Sequence, residues 1–364
     1  MENTALIKQE SNVNPFFVVM VVIITAIAMS WTIWKSAHTY QPVESVLSLK
    51  KLTPQELQEQ CAGVVPPTVK VGLYVDAFRS FDTIKSEFVF EGILSFEFDE
   101  KKVPRAVIEK FVFKKGDILE RTLLEERLNG QFLHLRYAIQ ARCISDLNYT
   151  FFPLDDHRIS FVLADRNASP CEFEFQIQKD DFKIGQDLSL MGWIHKSQDA
   201  VAGYIEAPLL IQDSAKSRYY PAIGFVIGYQ RSGARLLITI FFPLLALFFL
   251  TLFAFVFDVE KHGSTILTLT LSAITGLLAF RFVIESMSPH VGYFMISDYV
   301  WFIFFTAIFL IFFFNAGSMY MPAFYKKIFI IFLNIGVFLA CFYYLLIWDT
   351  YAITDYKSIL ALFA

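Results

Sequence analysis

The sequence predicts a mixed membrane protein: an extracytoplasmic antiparallel β-sandwich followed by a four-helix transmembrane bundle, plus one N-terminal transmembrane helix. Three observations predict it. Five apolar runs, 16–34, 236–257, 264–284, 299–317 and 328–348, are each long enough to cross a bilayer. Between the first and the second, apolar and polar residues alternate with period two. The third run carries small hydroxyls at Thr265, Thr268, Ser272 and Thr275, spaced by three and four, which a helix gathers into one stripe.

Composition agrees with this class. Of the 364 residues, 55% are hydrophobic, 17% are aromatic and 41 are Phe, an excess that suits a bilayer better than a soluble enzyme. The net charge of −4 gives no footing for nucleic acid. No HExxH, GxSxG or P-loop occurs, nor any carboxylate or His cluster within the apolar runs, so an enzyme is not expected. The spacing of His and Cys suggests no metal site, and no cofactor is expected. A transporter would show internal repeats and broken spans, and neither is read.

The elements follow in chain order. Residues 1–35 are read as a cytoplasmic tail and membrane anchor. The run ends Met29-Ser-Trp31-Thr-Ile-Trp34-Lys35 without a small-residue cleavage site, and its Trp residues suit an interfacial belt. A cleaved signal peptide is the alternative. Residues 36–65 form a polar tether closed by Pro66-Pro67. In 66–234, Val69, Val71, Leu73 and Val75 alternate with polar or small residues, and Phe88, Phe90, Leu94, Phe96 and Phe98 repeat the pattern. Asn129-Gly130 marks a hairpin, and 159–163, 172–177 and 220–229 read as further strands. The segment between Phe98 and Asn129 is read as short of a strand. Residues 235–348 supply the four helices, and 349–364 an extracytoplasmic tail. Lys8, Lys261 and Lys326-Lys327 place the N-terminus and two loops in the cytoplasm and the large domain outside. Of the four Cys, Cys341 lies in an apolar run; Cys143 and Cys171 could pair in an oxidising compartment, which the spacing leaves open.

A hydroxyl stripe on a membrane helix faces protein or water rather than lipid. It is either a helix–helix contact or the wall of a pore. Four local stretches bear on the choice. They are 68–82 with Asp82 in its turn; Phe151-Phe152-Pro153-Leu154-Asp155; Arg231, twelve residues before Pro243; and Glu285-Ser-Met-Ser-Pro289-His-Val-Gly-Tyr293. Their order resembles that of the pentameric ligand-gated ion channels (the Cys-loop receptor superfamily), particularly the bacterial members. The resemblance covers roughly 66–348. The cysteine pair of animal receptors is incomplete, since Cys143 stands near the first position and no Cys follows at 156–160. The extra N-terminal run is also foreign to the family.

The resemblance implies a homopentamer in a bacterial inner membrane, with the chain's own copies, lipids and permeant ions as its partners. The pore stripe would be Ser264, Thr268, Ser272, Thr275, Ala279 and Phe282. Phe282 is read as a dewetting gate, against simple packing on a neighbouring helix. Charge at the pore mouths would come from Asp258, Glu260 and Glu285; these favour cations, while Lys261 and Arg281 oppose that reading. Coupling would use Asp82, Phe152, Pro153, Asp155, Arg231, Pro289 and Tyr293, with Asp155 the implied carboxylate partner of Arg231. A plain interfacial cation is the alternative for Arg231. Trp193, Tyr204, Tyr219 and Tyr220 are the nearest candidates for a ligand site, and Tyr219-Tyr220 could equally be strand core or edge. The agonist would be a small molecule or a proton. The competing reading is a non-conducting membrane sensor or anchoring protein that retains the fold.

Overall fold

The computed structural model describes residues 13–39, 49–53, 55–57, 61, 63–185, 190, 192–207, 218–232, 234–317 and 321–347. The predicted tails 1–12 and 349–364 lie outside the described residues, as does the side chain of Glu260. The chain divides into two compact units: 42–148 with 156–232, and 1–41 with 149–155 and 233–364.

The first unit is built of strands. β1 (Thr68–Asp82), β2 (Glu87–Asp99), β3 (Val112–Lys114), β4 (Gly116–Asn129), β5 (Phe132–Ile144), β6 (His157–Ala164), β7 (Glu174–Gln176), β8 (Phe182–Ile184), β9 (Trp193–Ala207) and β10 (Arg218–Arg231) form two sheets. One runs β4-β5-β2-β1-β7, with β8 also on β1; the other runs β3-β6-β10-β9. Period-two alternation drives both. Val69, Val71, Leu73 and Val75 of β1 are buried at every second position, as are Phe88, Phe90, Leu94, Phe96 and Phe98 of β2.

The two sheets share one core, in which Phe88 and Phe90 of the first pack on Phe161 of the second, at ring-centroid distances of 6.0 and 4.9 Å. Each such buried Phe contributes roughly 1.5–3 kcal/mol.

Two expectations are corrected here, and one open pairing is answered. The first sheet is mixed rather than antiparallel throughout, because β7 and β8 lie parallel to β1. The segment between Phe98 and Asn129 holds β3 and the 14-residue β4. β4 escapes a period-two reading because it is a charged edge strand, exposed along most of its length. An antiparallel backbone ladder to β5 holds it, lined by exposed Arg142–Asp117 and Arg136–Glu125 pairs, both 2.9 Å. Finally, Cys171 is bonded to Cys61, with Cα atoms 5.3 Å apart, and Cys143 is a free, buried thiol. The Asn129-Gly130 turn joins β4 to β5, with Gly130 at φ +66°, a conformation that a side chain disfavours.

The second unit is helical. α1 (Pro15–His38), α2 (Ala234–Leu252), α3 (Val259–Met287), α4 (Ile296–Gly317) and α5 (Ala323–Phe342) are its main elements. Among the described residues, five helices are long and apolar enough to cross a membrane. Apolar side chains around nearly the whole circumference explain why these stretches are helical, since a helix satisfies its own backbone. α1 buries Val18, Thr25, Met29 and Thr32 along one line. Thr25 Oγ1 donates to Asn334 Oδ1 of α5 at 3.1 Å, while Asn334 Nδ2 donates to Ile330 O at 2.8 Å. Ser36 Oγ donates to Leu345 O at 3.0 Å. In apolar surroundings such polar pairs fix which faces meet.

Candidate functional site

α3 is two-faced. Ile266, Thr270, Ala273, Ile274, Leu277 and Ile284 are buried. Ser264, Thr268, Ser272, Thr275, Ala279 and Phe282 are all exposed. At 3.6 residues per turn these six lie within an arc of about 80°, centred about 180° from the buried set. Leu267, Leu271 and Leu278 flank the arc and are exposed as well. The hydroxyls have a defined polarity. Thr268 Oγ1 donates to Ser264 O at 2.8 Å, and Thr275 Oγ1 donates to Leu271 O at 3.0 Å. A threonine whose proton is taken by the turn below presents oxygen lone pairs outward, so this face offers acceptors. Phe282 stands at the same azimuth as Ser264 and is 73% exposed.

The charges near the ends of α3 are sorted by packing. At one end Glu285 is exposed, and Arg281 forms an ion pair with Asp298 of α4. Asp298 is buried, and its second oxygen accepts the Met295 N–H at 2.8 Å. The Arg281 guanidinium lies 5.8 Å from the Trp301 ring centroid, and Trp301 Nε1 donates to Leu277 O at 3.0 Å. The sequence sets Arg281 against the acids of the pore mouth, and its partner Asp298 is not among the residues the sequence singles out. Within this unit the positive charge has its own carboxylate, and Glu285 keeps its exposed negative charge. At the other end, the buried Lys326 of α5 is attracted to Asp258 in the turn before α3, and Lys261 is exposed. At His262, φ −125° and ψ 22° break the first turn of α3 from the rest.

The motif loop 149–155 belongs to the helical unit and meets the linker between α3 and α4. Tyr149 N–H donates to Tyr293 Oη at 2.9 Å. Ile296 N–H donates to Thr150 O at 2.9 Å, and Ser297 N–H to Phe152 O at 3.1 Å. These last two close orphan donors at the start of α4 with carbonyls of the loop. The peptide between Phe152 and Pro153 is cis. Phe152, Pro153, Asp155 and Pro289 are buried, so four of the sequence-predicted coupling residues are packed within this unit and Tyr293 is hydrogen-bonded to its loop.

In the strand unit, Arg231 closes β10. Its backbone N–H donates to Asp156 Oδ1 at 3.0 Å, and its guanidinium stands 4.3 Å from the centroid of Trp193. Trp193 in turn contacts His157 at 5.2 Å and Phe81 at 6.0 Å. Trp193 is therefore the platform of Arg231. Asp82 ends β1, and its Oδ1 accepts the Lys85 N–H of the following turn at 3.1 Å.

The four aromatic ligand candidates do not form one cluster in this chain. Arg231 pairs with Trp193 at one end of the β9–β10 ladder, and Tyr219 with Glu206 near the other. Eleven residues of β9 separate Trp193 from Tyr204, roughly 36 Å at 3.3 Å per residue. Tyr204 and Tyr219 are buried, and Tyr220 is half-buried. Burial, with Glu174 nearby, pushes the Tyr204 hydroxyl up to about 12. Lys50, from the predicted tether, joins this end: its Nζ donates to Tyr219 Oη at 2.5 Å. Nothing in the sequence signalled that contact.

Among the described residues no cluster of three or more His, Cys, Asp or Glu could hold a metal ion. No protein-family model matches the chain, and no curated protein matches it at a significant level.

Proposed function

We propose that the chain is the subunit of an ion channel, assembled from identical copies around a shared aqueous axis and opened by a small molecule or a proton. The pore is lined by the 264–284 helix face. The observation that carries this reading is the opposition on α3: an acceptor-bearing Ser/Thr arc with Phe282 on one side, and every buried contact on the other. Hydroxyl oxygens replace part of an ion's hydration without holding it, and acceptors suit cations. Glu285 is exposed and Arg281 is neutralised by Asp298, which favours cations at that mouth. Phe282 supplies an apolar constriction that closes by dewetting.

The wider reading keeps to the resemblance. The two-sheet unit is an extracytoplasmic β-sandwich, the helices α2–α5 form the membrane bundle, α1 is an added membrane helix, five copies assemble, and the setting is a bacterial inner membrane. Gating passes through the 149–155 loop to Tyr293, and Arg231 with Trp193 belongs to the same machinery.

Reconstitution of the purified oligomer into vesicles tests the proposal. Single-channel recording across pH steps and sodium gradients should give discrete cation currents. A well-folded oligomer that never conducts would leave the second reading, a sensor or anchoring protein with the channel fold.

A further inference from the structure

Cys171 lines a cleft of about 880 Å³ in the strand unit, and so do Val64, Val65 and Pro66, which follow its disulfide partner Cys61 in the chain. The bond therefore ties two walls of the cleft together. Those walls are held differently. The 165–172 wall is hydrogen-bonded within itself. Asp165 Oδ1 accepts the N–H groups of Asn167 and Ala168 at 2.8 and 3.2 Å. Ser169 accepts the Cys171 N–H on its Oγ at 3.3 Å and the Glu172 N–H on its carbonyl at 3.0 Å. Ala168 is buried in the core that the two sheets share. The strap 61–65 has one turn of its own, with the Val64 N–H donating to Cys61 O at 3.0 Å across Gly63 at φ +82°. Gly63, Val64 and Val65 are exposed, and no described residue of 61–67 belongs to the shared core. Downstream the strap is fastened at the buried Pro66 and by the Glu174 N–H donating to Pro67 O at 3.0 Å. Upstream, among the described residues, the next pairing with a strand is the Lys50 bridge to Tyr204.

Cys61 is 6% exposed, whereas Cys171 is half-buried beside the cleft, so a reductant meets Cys171 first. We propose that the bond is a redox clasp: a dithiol reductant entering the cleft breaks it in the folded protein, and the 61–65 strap then swings away while the 165–172 wall stays. One thiolate of the reductant attacks Cys171 Sγ and forms a mixed disulfide, and Cys61 leaves as a thiolate. The second thiolate of the reductant displaces Cys171 and closes the reductant's own disulfide. Two electrons pass to the cysteine pair, and its two thiolates take up the two protons that the dithiol has given up. The movement widens the cleft that Val103 and Pro104 also line. This inference does not rest on the channel reading.

The test uses the full chain in detergent micelles without denaturant, with dithiothreitol as the dithiol. Brief alkylation by iodoacetamide should label Cys61 and Cys171 and leave the buried Cys143 and Cys341 unlabelled. Those two thiols lie one in each unit and gauge unfolding internally. Hydrogen exchange read by peptide mass spectrometry should rise about tenfold over 61–65 on reduction, and change by less than about twofold over 165–172 and β2. In a second arm, Cys61→Ser should show the fast strap exchange without reductant and no further response to it. If that variant does not fold, the labelling and exchange of the native chain decide alone. Labelling of Cys61 and Cys171 only together with Cys143 would mean that the bond is reached through global unfolding, and would overturn the clasp. Strap exchange that stays unchanged after full reduction would overturn it equally.

Discussion

Arg281 of α3 is ion-paired with Asp298 of α4, and Asp298 is almost wholly buried. The pair ties the two helices beside the exposed arc of α3 and removes a positive charge that would otherwise act near Glu285. Breaking one side of a buried pair costs more than the pair contributes, because the partner stays desolvated. Arg281 keeps 30% exposure, which softens that penalty. Asp298→Asn should therefore destabilise the protein by about 2 kcal/mol in thermal unfolding. The double change Arg281→Met with Asp298→Leu should recover most of it. Under the channel reading, Asp298→Asn should also lower single-channel cation conductance, whereas the double change should not.

Cys61 and Cys171 close a loop of 110 residues in the strand unit. Crosslinking so long a loop restricts the unfolded chain, a gain of typically 2–4 kcal/mol. Cys61→Ser should lower the melting temperature, and reductant should lower that of the native chain to match. Cys143→Ser should leave the reductant effect intact. If Cys143→Ser instead abolished it, the bond would involve Cys143 and this assignment would be wrong.

How much of this was legible in the sequence depends on the range of the interaction. The α3 stripe was readable because its spacing is local and helical: Ser264, Thr268, Ser272, Thr275, Ala279 and Phe282 fall within one arc of about 80° whatever surrounds them. β1 and β2 were readable for the same reason at period two. β4 was not, because its side chains mostly meet solvent and the backbone ladder to β5 holds it without apolar alternation. The Arg281–Asp298 pair spans two helices, the disulfide spans 110 residues, and the Lys50 bridge is a single contact from a polar segment. None leaves a periodic trace, so each required the folded chain. Trp193 shows the same limit: its contact with Arg231 joins the two ends of β9 and β10 and leaves no local trace in the sequence.

Tyr137 is buried on β5, and its hydroxyl donates to Glu109 Oε1 at 2.9 Å. Burial first, then the Glu109 hydrogen bond and charge, pushes it up to about 12 from an ordinary value of 10. The sign follows directly. Between pH 10 and 12 the unfolded chain has released this proton and the folded chain still holds it. The unfolded state therefore binds fewer protons, and stability falls as pH rises. Denaturation midpoints should drop across pH 10–11.5, and Tyr137→Phe should flatten that slope. A slope unchanged by the substitution would assign the alkaline sensitivity elsewhere.

Arg231 over Trp193 is a test of geometry against charge. The guanidinium sits 4.3 Å from the indole centroid, and its backbone is held by Asp156. Arg231→Lys keeps the charge and loses the planar stack, a loss of about 0.5–1 kcal/mol of stability. Under the channel reading, Arg231→Ala should abolish gating or assembly, with little further loss of strand-unit stability. Normal agonist or proton responses from an assembled Arg231→Ala protein would remove Arg231 from the gating machinery.

Phe282 separates the channel reading from the sensor reading most directly. Its ring is 73% exposed on α3, on the same arc as the hydroxyls, so it adds little to the stability of the single chain. Phe282→Ala should then leave the melting temperature of the detergent-solubilised chain nearly unchanged, within about 0.5 kcal/mol. If Phe282 closes a pore by excluding water, the same change should raise resting conductance, and Phe282→Leu should restore a low leak because an apolar ring of residues remains. If Phe282 packs against a neighbouring helix, Phe282→Ala should weaken the oligomer on size-exclusion chromatography and leave the leak as it was. The two outcomes are measured on one variant, and the gate requires a higher leak from an oligomer that stays intact.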